Sequence, residues 1–120
     1  MRELSRERAR VMSSADPAQL PALDVPGSPA WKADAALLEQ VRSTGQRFVG
    51  VAFTVRTARV LRTSAAAASV AAVVDTAPYT VEGPGDTVTQ RPAVRGVEMR
   101  FDLRWSGGVW LVERISAQGS

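Results

Sequence analysis

Asp75 closes an apolar run, and the single tyrosine, Tyr79, follows four residues later just beyond Pro78. An acid buried beside a phenol takes a raised pKa and can trade a proton, with the Tyr hydroxyl as hydrogen-bond donor. Asp34 is a second candidate acid, within a stripe of apolar residues at helical spacing. Each candidate has a plain structural counterpart. Asp75 also fits a carboxylate at a strand end, with Tyr79 packing its ring and wetting its hydroxyl. Asp34 also fits the N-terminal half of a helix, where negative charge is favourable.

Little other chemistry is open to the chain. It has no His and no Cys, which removes thiol nucleophiles, imidazole bases, Ser-His-Asp triads and the usual zinc sites. No metal and no cofactor is expected. The net charge is +3, from fourteen Arg and one Lys against 12 acids, and Arg and Ala richness suits a genome of high GC content. The arginines alternate with acids, as in Glu98-Arg100-Asp102-Arg104, the pattern of a mixed solvated face. Arg100 and Arg104 fall on the opposite side of a strand from Phe101 and Trp105, so one surface cannot offer both charge and stacking rings. Nucleic acid is therefore not the expected partner.

The elements that must position these residues come from periodicity. Residues 3–14 predict a helix, with Leu4, Val11 and Met12 on one side and Arg6, Arg8 and Arg10 elsewhere. Asp16-Pro17 starts a short helical turn through Leu20, and Pro21, Pro26 and Gly27 mark a connecting loop. Ser28-Pro29 is a strong helix start, with Ser as cap and Pro at the first helical position. Trp31, Ala35, Leu38 and Val41 follow as its stripe, and Gly45 ends it. Phe48 to Leu61 predicts a first strand with a bend or bulge near Thr57-Ala58. Ala67 to Val81 predicts a second strand, apolar on both faces, which needs cover on each. Gly83-Pro84-Gly85-Asp86 is a turn, and Val88 to Val94 an edge strand because of Pro92. Val97 to Trp105 alternates strictly and Ser106-Gly107-Gly108 turns it back into Val109 to Ile115, an antiparallel hairpin. No run approaches the roughly 20 apolar residues of a membrane span, and the first ten residues lack the apolar segment of a signal peptide.

Helices first and antiparallel strands after predict a single α+β domain over residues 1–120, cone-shaped, with a strongly bent antiparallel sheet packed on N-terminal helices. Phe48, Val51, Phe53, Met99, Phe101, Leu103, Trp31, Leu38 and Val41 are the expected core. With that element order, the closing segment Met99 to Ile115 resembles the final hairpin of the nuclear-transport-factor-two-like superfamily, which includes the SnoaL-like proteins. The front half, from Asp16 to Leu61, is similar to uncharacterised actinobacterial domains of that fold.

The resemblance implies a cone between helices and sheet in which enzymes of the superfamily use a carboxylate base, with Tyr, a protonated Asp or an Asp-His pair. This chain departs from those patterns: it has no Tyr on its first helix, no His, and Asp102 faces outward beside Arg100 and Arg104. The expectation is thus a non-catalytic binding or protein-interaction domain, an accessory or sensor part of an actinobacterial envelope or secretion system. The alternative is a small cofactor-free lyase or isomerase acting in the cone through Asp75 with Tyr79, or Asp34. Trp31, Leu38, Phe53, Met99, Phe101 and Trp105 are the expected pocket lining, for a small apolar ligand, although rings of this size more often fill a core. The outer sheet face is expected to hold a second copy or a partner protein. The setting is either cytoplasmic or the extracytoplasmic domain of an anchored protein.

Overall fold

Three N-terminal helical segments lie against antiparallel strands in the computed structural model, which describes residues 1–117. Helix α1 (Arg2–Ser14) buries Val11 and Met12 and stops where Ala15 turns left-handed, φ 52°. The Asp16 carboxylate then accepts from the Ala18 N–H at 3.0 Å, opening a short 3-10 helix, Pro17–Ala22. Helix α2 (Pro29–Ser43) starts as expected. Ser28 Oγ accepts from the Trp31 N–H at 3.2 Å, Pro29 occupies the first turn, and Gly45 follows the end at φ 70°. Its inner stripe is Ala30, Asp34, Leu38 and Val41.

The strands are β1 (Arg47–Val49), β2 (Phe53–Thr63), β3 (Ala67–Thr76), β4 (Tyr79–Glu82), β5 (Val88–Arg91), β6 (Val94–Ser106) and β7 (Val109–Ala117). They form a four-stranded sheet, β2-β3-β6-β7, and a three-stranded one, β1-β4-β5. Two strands expected to be continuous are therefore broken. The first breaks at Gly50, φ 82°, and the second at Ala77-Pro78. The breaks face each other: Phe53 pairs with Thr76 in the large sheet and Val49 with Thr80 in the small one. A single hairpin thus kinks on both strands at one level, where glycine allows the positive φ and proline offers no ladder donor. Register shifts after Val55 and Val60 leave Arg56 and Leu61 as extra residues that curl β2 further. The closing hairpin turns on Gly107 and Gly108, both at positive φ, between Ser106 and Val109.

The core sits between α1, α2 and the concave side of the large sheet. Val11, Leu20, Leu23, Leu38 and Val112 are fully or almost fully enclosed, joined by Val70, Phe101 and Leu103. Val41, Leu38, Phe101 and Leu103 are buried as expected, whereas Trp31, Phe48, Val51, Phe53 and Met99 are half-buried. Length explains the difference. A helix of 13 residues spans about 20 Å, and a strand of 13 about 43 Å, so the helices cover only the middle of the sheet. Leu23–Val25 crosses to the free edge of β7: the Val25 N–H donates to the Val112 carbonyl and the Val112 N–H to Leu23, both at 2.9 Å. That stitch carries Asp24 into the interior.

Candidate functional site

The uncovered part of the concave face is a groove of about 1090 Å³ between the N-terminal end of α1 and the sheet. Its floor is Val55 of β2, Ala68 and Val70 of β3, and Leu103 of β6, and Leu4 of α1, with Met1 just before that helix, closes the other side. Trp105 and Trp110 stand at its end as an edge-to-face pair, ring centroids 5.3 Å apart. Its rim leaves apolar surface in water: Val60 is 62% exposed, Val109 54% and Trp105 44%. The acids along it, Glu3 and Glu7, come from α1, and Glu7 pairs with Arg10.

Beside the groove, under α1, lies a buried charge cluster. Arg8 donates from both terminal nitrogens to Asp34, at 2.9 and 3.0 Å, tying α1 to α2. This corrects the expected solvated place of Arg8. Leu4 precedes it by four residues and Val11 follows by three, so the side chain leaves the inner stripe of the helix. Asp34 is 4% exposed. Asp24 is fully enclosed, and neither of its carboxylate oxygens has a hydrogen-bond donor among the described residues. Burial first, and then the adjacent Asp34, push the Asp24 carboxyl up to about 8, against an opposing pull from Arg8. Protonated, Asp24 carries a hydroxyl donor that its ionised form lacks, and avoids burying a second negative charge near Asp34. Sequence reasoning missed Asp24. Its signal was an acid within Leu23-Asp24-Val25, inside a stretch that Pro21 and Pro26 mark as loop.

The sequence candidates are dispersed. Asp75 accepts from the Gly96 N–H at 2.8 Å and lies 3.6 Å from Arg56. Tyr79 packs edge-to-face on Phe48, 5.8 Å between centroids. Among the described residues no hydrogen bond joins Asp75 to Tyr79, and neither residue lines the groove; Asp34 does not line it either. Of the expected pocket lining, Trp105 alone borders the groove. Leu38 and Phe101 are core, while Trp31, Phe53 and Met99 pack on the core's margin. Asp102 faces outward as expected, accepting from Ser69 at 2.7 Å and from Arg100 at 3.1 Å.

No protein-family model matches the chain, and no curated protein matches it. Among solved structures it is similar to the crystal structure of the intermembrane space region of the chloroplast protein ARC6, with a TM-score of 0.66 and 15% identity. That match covers 98% of this chain and 93% of the other. At such identity the likeness is one of fold, helices packed on antiparallel strands. Among the described residues no helix is long and apolar enough to cross a membrane.

Proposed function

We propose that the chain is a non-catalytic binding domain of the nuclear-transport-factor-two-like kind, which takes an apolar ligand or a segment of a partner protein in its groove. One observation carries this reading: an open, largely apolar groove whose rim exposes Val60, Trp105 and Val109. Apolar surface of this kind, contiguous and concave, is stabilised when an occupant removes it from water. The enzymatic alternative needs an acid that reaches a bound molecule. Of the candidate residues the sequence singled out, none lines the groove: Asp34 is gripped by Arg8, Asp75 is held by the Gly96 N–H and near Arg56, and Tyr79 packs on Phe48. The outer sheet face, where Arg100–Asp102 and Arg104–Glu113 pair within one chain, is the proposed seat of a second copy or a partner protein.

The test is titration with the uncharged apolar dye Nile red, read by dye fluorescence and by quenching of Trp105 and Trp110. Saturable uptake is expected, and Ala68→Trp, which fills the groove floor, abolishes it while far-ultraviolet circular dichroism is unchanged. Absence of uptake by the native chain, or undiminished uptake by a folded Ala68→Trp variant, overturns the reading.

A further inference from the structure

We propose that the outer edge of β2, along Thr57–Thr63, accepts an extended acidic segment of a partner protein as an added strand; this rests on the binding-domain reading and names the partner's chemistry. Strand β2 pairs with β3 on one side, and among the described residues its other edge has no ladder partner along this half. The opposite edge of the sheet differs, because Leu23–Val25 already occupies part of β7. Six of the seven residues from Thr57 to Thr63 are exposed, Leu61 being half-buried. The backbone N–H and C=O groups that point away from β3, those of alternate residues, are therefore available to an incoming chain.

Register gives the two sides of this edge opposite characters. Val60 lies opposite Val70 and Thr63 opposite Ala68, on the groove side. Arg59 lies opposite Ala71 and Arg62 opposite Ser69, on the outer side. Neither guanidinium has an ion-pair partner among the described residues, unlike Arg56, Arg100 and Arg104. An added strand sends successive side chains to opposite faces. Its matching pattern is acidic and apolar residues in alternation, acids against Arg59 and Arg62, apolar groups beside Val60 over the groove. A second copy of β2 is a poor occupant, since antiparallel self-pairing sets these guanidinium groups against their own kind.

The experiment is fluorescence anisotropy of labelled peptides of about seven residues, a typical strand length, on the full chain at low salt. The peptides alternate Glu with Val, Gln with Val, or Lys with Val, and one Glu–Val version is N-methylated on alternate amides. The Glu–Val peptide is expected to bind at least about tenfold more tightly than the Gln–Val one, with salt weakening the difference. The Lys–Val and N-methylated peptides fail to bind, and Arg59→Glu with Arg62→Glu removes the preference. Equal binding of the Glu and Lys peptides, or of the N-methylated one, overturns the proposal. So does binding of a single-stranded oligonucleotide in preference to the Glu–Val peptide. Nile red uptake without peptide binding overturns the added strand alone, whereas loss of both removes the binding-domain reading as well.

Discussion

Asp24 and Asp34 set two carboxyls side by side beneath α1, and the single guanidinium there, Arg8, is bidentate on Asp34. Two buried acids sharing one cation cannot both ionise cheaply, so one of them keeps its proton. Asp24, enclosed and without a donor, is the one that does.

This arrangement fixes the sign of a pH dependence. The Asp24 carboxyl rises from its ordinary 3.8 to about 8 in the folded chain. The folded state therefore binds more protons than the unfolded one between these values, and its stability falls as pH rises from about 4 to about 8. Asp102 works in the opposite direction. Desolvation alone would raise it, but the Ser69 hydroxyl and Arg100, aided by Arg114, hold it below its ordinary value. Its contribution is present above the ordinary value of 3.8 and is lost as pH falls through its folded pKa. Urea midpoints are thus expected to peak near the acid end of the range. Asp24→Asn flattens the decline and raises the midpoint at pH 8. An identical slope in the variant would remove Asp24 as its source.

Arg8 carries a separate prediction. Arg8→Met leaves the Asp34 carboxylate buried with no cation and should cost about 3 kcal/mol in urea unfolding at neutral pH. Adding Asp34→Leu should recover most of that loss, because the uncompensated charge goes with it. A cost below about 0.5 kcal/mol would rank the pair with exposed ones.

Periodicity made the α+β layering, the Ser28-Pro29 start and the Gly107-Gly108 hairpin legible, since each depends on local backbone preference. The breaks at Gly50 and Ala77-Pro78 were less so, because each becomes a kink only through the strand opposite it. The charge cluster was hidden for a different reason. Asp34 was visible within a helical stripe, but Arg8 was placed off the apolar side of its helix, and their pairing joins residues 26 apart in sequence. Asp24 owes its burial to a backbone bridge with Val112, which no local pattern announces. Trp105 was foreseen as pocket lining, but alternation alone could not separate it from core residues such as Phe101 on the same face.

The kink itself is testable at Gly50. Its φ of 82° is unfavourable for any side chain, although a Cβ built there meets nothing within 4 Å. The cost of Gly50→Ala is thus conformational, about 1 kcal/mol, without steric repacking. Thermal unfolding should show a loss of about 4 °C for a chain of this size. No loss would mean that the hairpin bends without a left-handed residue.

Phe101 and Trp105 occupy the same face of β6 two residues either side of Leu103, and they should respond differently to truncation. Phe101 is buried in the core, so Phe101→Ala creates a cavity and should cost about 3–5 kcal/mol of stability. Trp105 stands half in water at the groove, with the Trp110 ring as its partner. Trp105→Ala gives up that aromatic contact and should cost about 1 kcal/mol. It also removes a large apolar surface from the groove, so Nile red affinity should fall about tenfold. Urea unfolding and dye titration on both variants separate the two roles. Equal losses of stability would place Trp105 in the core, and unchanged dye affinity would take its ring out of the binding surface.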